Sequence, residues 1–294
     1  MLACAPFFSR PICGQYEDRQ TRLSKVEKTF GDPPKMKRLA EKDRVWVDVE
    51  KHLVVVDGFI ALRNGQLEMF ACPVGTKEHE SVVALFTKAQ YVHTALLAAG
   101  AETGKPVQWE PKFEPPTGSE IEIHALWFDA KGNKQVIDAR KWIRQIGKET
   151  LDVNWVFAGS GMWKDPDTGE ERYLAESGDL VCLSNFTTAT LDVPIKSSQA
   201  NSGLLFVANT DLIPAEGTAI RLVFRVVKPS SAARSTTATK PNNSSQPNIA
   251  PKPLDADRGP STSTEDKESL DLLTPSTSAA ESKSAPKAAG SKVP

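Results

Sequence analysis

Every tryptophan of the chain lies between Trp46 and Trp163, and from Pro229 to Pro294 there is no Phe, Trp or Tyr at all. That distribution constrains the fold most. A packed core has to lie in the first three quarters of the chain, because a Ser/Thr/Pro/Ala/Lys-rich segment buries too little apolar surface to offset an ordering cost of about 1–2 kcal/mol per residue. The expected organisation is therefore a lead-in over residues 1–35, one domain over 36–228, and a disordered tail over 229–294. Within the tail, Ser269–Leu273 is the only apolar spot, and it offers a short docking segment for a protein partner or nothing beyond chance composition.

The domain reads mainly as strands. Val45, Val47 and Val49 alternate with Trp46 and Asp48. HLVVVDGFIAL is rich in β-branched residues, and Asn64-Gly65 followed by QLEMFACP suggests a hairpin. Further strands are expected on either side of Lys131-Gly132-Asn133, on either side of KDPDTGEE, and in GTAIRLVFRVV. One main helix is predicted over about 77–99. Gly75-Thr76 would precede it, Glu78 and Glu80 would lie in its first turn, Val82, Phe86, Ala89, His93 and Leu97 would share a face, and Gly100 would stop it. Mostly antiparallel strands plus one helix make the expected class α+β in a single domain. Residues 14–43, polar and with Pro33-Pro34, read as irregular.

Charge narrows the function classes. A net charge of −1 provides no basic face, so nucleic acid is not an expected partner. No run of about 18 apolar residues is present, so no transmembrane span is expected. The N-terminus, MLACAPFFSRPICGQ, permits two readings. Leu2-Ala3-Cys4 resembles the end of a lipoprotein signal whose start lies upstream, which would place the protein outside the cytoplasm. The alternative is a frayed terminus in a cytoplasmic protein with Met1 as its true start. Of the four cysteines, Cys72 and Cys182 fall in the domain, and no C-x-x-C pair exists. The expectation is two separate buried thiols, with a Cys72–Cys182 disulfide as the alternative if the chain is exported.

The segment from Cys72 to Ser81 concentrates the candidate chemistry. Gly75, Thr76, Lys77, Glu78, His79, Glu80 and Ser81 would form an anion- or ligand-binding loop at a helix N-terminus. Cys72 with His79 would form a nucleophile and base for a hydrolase or transferase. Cys72, His79 and a carboxylate, or His79 with His124 or Cys182, would make a metal-binding module. The plain structural reading is a buried strand thiol, a glycine turn and solvated first-turn carboxylates. No cofactor motif stands out. Thr103-Gly104-Lys105 lacks the P-loop spacing, Gly159-Ser160-Gly161 lacks the frame of a nucleophile elbow, and DPDTG matches turn chemistry. Trp142, Trp155 and Trp163 are expected in packing, or, if exposed, as a stacking surface for sugars.

Four stretches, FACPVGTKEHESVVAL, HTALLAAGAETGKPV, WVFAGSGMW and LVCLSNFTTATLDVPIKSS, resemble the YdjY-like domain family over roughly residues 44–228. That family is abundant in bacterial envelope and secreted proteins of planctomycete type. The resemblance implies an extracytoplasmic location, in the periplasm or cell envelope, and names no reaction. The functional expectation is a non-enzymatic binding or scaffolding domain of the bacterial envelope.

Overall fold

The computed structural model describes residues 18–197 and 205–228. The readings of a signal remnant at the N-terminus and of a disordered tail with its Ser269–Leu273 cluster lie outside the described residues. In chain order the elements are α1 (Arg19–Phe30), β1 (Lys37–Arg38), β2 (Val45–Asp48), β3 (Leu53–Ile60), β4 (Met69–Pro73), β5 (Ser81–Leu85) and α2 (Ala89–Ala98). There follow β6 (Glu120–Phe128), β7 (Lys134–Asp138), β8 (Ile143–Gln145), β9 (Trp155–Phe157), β10 (Met162–Lys164) and β11 (Glu171–Tyr173). Last come β12 (Val181–Cys182), β13 (Leu191–Asp192), β14 (Phe206–Ala208) and β15 (Ala219–Val226).

Eight of these strands close on themselves. Their order is β3-β15-β6-β9-β13-β12-β4-β5, and the β3–β5 pairing returns to the start. The fold is thus a β-barrel with two short α-helices among the described residues, and the expected α+β arrangement is incorrect. Closure removes the exposed strand edges that an open sheet of this size would leave. Strand β3 shows how it is achieved. Leu53–Val56 pair with β2, while Gly58–Ile60, on the same edge, pair with β5. The other edge pairs along its length with β15.

The segment expected as one helix over 77–99 divides in three. Glu78–Glu80 make a single 3-10 turn, Ser81–Leu85 become β5, and only Ala89–Ala98 are α-helical. The cause is burial on both sides. All five residues of β5 are buried, so Val82 and Phe86 lie at helical spacing without sharing a helix face, and β-branched Val82-Val83 suit a strand. Leu97, expected on the apolar stripe, is 47% exposed. The Asn64-Gly65 hairpin also fails as a pairing. Strand β4 lies beside β5, in parallel, and β12, while Gln66 bridges to Val207.

A helix also occupies the stretch read as irregular lead-in. Asp18 caps α1 by accepting from the backbone N–H groups of Gln20 (2.8 Å) and Thr21 (3.0 Å), which satisfies two of the free donors at a helix start. Val26 and Phe30 are buried in a cluster with Phe59, Ala84, Phe86 and Leu126. The barrel is therefore covered on that side by residues N-terminal to the expected domain start.

The core inside the barrel is contributed by alternate residues, as a period of two requires. Val54, Val56 and Ile60 of β3 meet Ile121 and Ile123 of β6, Trp155 and Phe157 of β9, and Leu222 and Phe224 of β15. Val92, Ala95 and Leu96 of α2 join the same core. Trp155 is fully buried in it, with Nε1 donating to the Cys182 carbonyl at 3.0 Å.

Candidate functional site

The Cys72–Ser81 string ends β4 and enters β5 through a loop that fastens onto itself. Gly75 adopts φ +89°, a conformation glycine takes without strain. Its N–H donates to Glu78 Oε1 at 2.7 Å, Thr76 Oγ1 donates to the Pro73 carbonyl at 2.6 Å, and Ser81 Oγ donates to the Lys77 carbonyl at 2.7 Å. The Gly75 donor expected to meet an anion is thus taken by a carboxylate of the same loop.

Lys77 leaves this loop for the β11–β12 connection. Its stem lies over Gly178, where an added Cβ would come within 2.6 Å of Lys77 Cγ. Its Nζ stands 2.9 Å from Asp179 Oδ1 and 3.6 Å from Glu80 Oε1, and 4.3 Å from the centre of the Phe186 ring. Burial by itself would lower the Lys77 pKa, but its contact with Asp179 and the charges of Asp179 and Glu80 outweigh burial and raise it. Asp179 is 4% exposed. Its other oxygen, Oδ2, accepts from Thr188 Oγ1 and from Ser177 Oγ. Glu68 completes the acidic surroundings, its carboxyl raised by burial and by the Glu80 charge.

Below this cluster the β12–β13 connection folds back over its own strands. The parallel register Val181↔Leu191 sets Cys182 beside Asp192, and both are fully buried. Phe186 and Ala189 cover Cys182 and Met69. Burial drives the Asp192 carboxyl well above the usual carboxylate range, against the hydrogen bonds it accepts from Asn185 and the Val193 N–H. Burial, with the Asp192 and Asp179 charges, likewise pushes the Cys182 thiol up.

The structure does not assemble the expected Cys72–His79 pair. Cys72 is fully buried in β4, and burial raises its thiol in spite of the Ser81 and Thr76 hydroxyls. A thiol held protonated is a poor nucleophile. His79 points outward, its side chain 79% exposed with Nε2 at 3.8 Å from Glu80 Oε2. Cys72 and Cys182 sit on adjacent strands but are free thiols. Among the described residues no group of three His, Cys, Asp or Glu is placed to hold a metal ion. His124 is half-buried in β6, opposite Asp138 in register. His93, half-buried, places Nδ1 2.9 Å from Tyr173 Oη, which lies 2.9 Å from Thr190 Oγ1. Burial lowers the His93 pKa and pushes the Tyr173 hydroxyl up to about 12.

The residue that sequence reasoning missed is Asp179. Its trace in the sequence is Gly178-Asp179 immediately ahead of LVCLSNF, a pairing with Lys77 that only the fold reveals. Of the three later tryptophans, Trp142 and Trp155 are fully buried, whereas Trp163 is 42% exposed.

No curated protein and no solved structure matches the chain. A family model described as the YdjY domain matches residues 45–225, from β2 into β15, and takes in Lys77, Glu80, Asp179 and both buried thiols. The chain belongs to the YdjY domain family.

Proposed function

We propose that the domain binds or scaffolds a protein partner in the bacterial cell envelope. One observation supports this above others. Strands β10 and β11 form a hairpin that pairs with no other strand of the barrel among the described residues, and it carries Met162 at 59% and Trp163 at 42% exposure. Trp and Met are enriched in recognition surfaces, and a rigid aromatic on an outlying hairpin loses little entropy when a partner covers it. The motif loop supports the same reading from the other side, since Cys72, Lys77 and Glu78 are all engaged within the fold. No helix among the described residues is long and apolar enough to cross a membrane. The envelope location rests on the family resemblance.

A photoreactive residue at position 163 in the native host, compared with one at the exposed turn residue Lys131, tests this. The expected result is a discrete protein adduct from position 163 that fractionates with the envelope and is absent from position 131. Equal labelling from both positions, or an adduct confined to the cytosol, would contradict it.

A further inference from the structure

We propose that Lys77 and Asp179 join covalently, through an amide between Nζ and Cγ, and that Glu80 is the positioning and proton-transferring residue for the step. The inference is independent of the hairpin and of any partner.

The site has the parts that such a condensation needs. The nucleophile is held in place, because the Lys77 stem is wedged against Gly178 and the ammonium sits over the Phe186 ring at 4.3 Å. Its Nζ is 2.9 Å from Asp179 Oδ1, an oxygen that no other donor reaches among the described residues. Fixed reactants at this range gain the advantage of an intramolecular reaction. The electrophile is polarised by two hydroxyls, Thr188 Oγ1 and Ser177 Oγ, both donating to Asp179 Oδ2. They stand where negative charge gathers when the amine adds to the carboxyl carbon, the role that fixed donors have at a developing oxyanion. A carboxylate, Glu80 Oε1, lies 3.6 Å from Nζ, close enough to take up a proton on a small movement.

The balance closes within the three side chains. Glu80 takes a proton from the Lys77 ammonium and passes it to Asp179 Oδ1, so that the resting ion pair becomes a neutral amine facing a neutral carboxyl. The free amine adds to Asp179 Cγ, forming the N–C bond and placing the charge on Oδ2. Glu80 then carries one proton from the nitrogen to the Oδ1 hydroxyl, the Cγ–Oδ1 bond breaks as the Oδ2 carbonyl re-forms, and Oδ1 leaves as water. An ammonium and a carboxylate become a neutral amide and one water. No oxidant, metal or nucleotide is required, and Glu80 ends as it began.

The product would tie the β4–β5 loop to the β11–β12 connection, two points far apart in sequence, in a domain whose two thiols are unpaired. Such a bond survives boiling, detergent and reductant, conditions that dissolve an ion pair.

Intact mass and a tryptic map of the full chain purified from its host test the proposal. The expected wild-type protein is lighter than its Lys77→Arg variant by one water beyond the substitution itself, resists trypsin after residue 77, and yields one branched peptide containing Lys77 and Asp179. Lys77→Arg keeps the ion pair and serves as the folded control. Glu80→Gln is expected to give folded chain with a free Lys77, converting slowly or not at all. A folded wild type with the full sequence mass and ready cleavage after Lys77 overturns the proposal. A Glu80→Gln chain cross-linked as fast and as completely as wild type overturns the role of Glu80.

Discussion

Asp57→Ala is expected to cost about 3–5 kcal/mol of stability, the range for removing one partner of a buried ion pair. Asp57 is fully buried in β3 between Arg44 and Arg221, whereas Asp32, which Arg44 also meets at 3.2 Å, is exposed. Arg44 donates to Asp57 Oδ2 through Nε and Nη2 at 3.2 and 2.6 Å. Arg221 donates to Oδ1 at 2.6 Å and Oδ2 at 2.9 Å. The same two guanidinium groups reach the Gly31 carbonyl, at 2.7 and 2.8 Å, so they also cap the negative end of α1. Without Asp57 two buried guanidinium groups would lose their enclosed carboxylate, and Arg44 would keep the exposed Asp32. Denaturant unfolding of the variant measures the loss. Replacing the three side chains together, by Arg44→Met, Asp57→Leu and Arg221→Met, is expected to recover most of it, since no charge is then left unpaired. A single-variant cost below about 1 kcal/mol would show that the network is not enclosed as described.

Gly58→Ala is expected to cost more than about 3 kcal/mol, above the usual range for overpacking a core. An added Cβ would come to 2.1 Å from the Ala84 carbonyl oxygen and 2.9 Å from its carbon. Those atoms are the backbone of β5, held to β3 by the Gly58↔Leu85 and Phe59↔Ala84 pairing, so the obstruction cannot swing aside as a side-chain tip would. The variant has to open the seam at which the barrel closes. Thermal unfolding reads the effect, and a wild-type melting temperature would show that β3 and β5 are not paired there.

These two positions also mark where the sequence was legible and where it was not. The strand character of Val45–Asp48, Leu53–Ile60, Glu120–Phe128 and Ala219–Val226 is written in their β-branched and alternating residues, and the turn at Lys131-Gly132-Asn133 does connect two paired strands. Which strands meet is a different kind of information. Nothing local in HLVVVDGFIAL says that its first half pairs with β2 and its second half with β5. A glycine inside a strand signals close backbone approach, yet not the identity of the neighbour. Short strands buried on both faces lose their period, which is why Ser81–Leu85 joined the following α2 in an apparent helix. The polar helix α1 was obscure for the opposite reason. Its exposed face dominates its composition, and only Val26 and Phe30 are buried. At the site, the string from Cys72 to Ser81 was visible as a concentration of functional groups. Its direction was not, because Lys77 acquires its role from Asp179 on a distant connection. His79, the residue that chemistry favoured as a base, is the one that faces water.

The closed barrel is the claim from which the rest follows, and backbone amide NMR of the domain tests it most directly. A closed barrel gives cross-strand contacts between Gly58 and Leu85 and between Cys72 and Ala84, the antiparallel and parallel registers on the two sides of β5, with slow hydrogen exchange through Ser81–Leu85. Unbroken helical contacts between successive amides from Lys77 through Ala99 would contradict it.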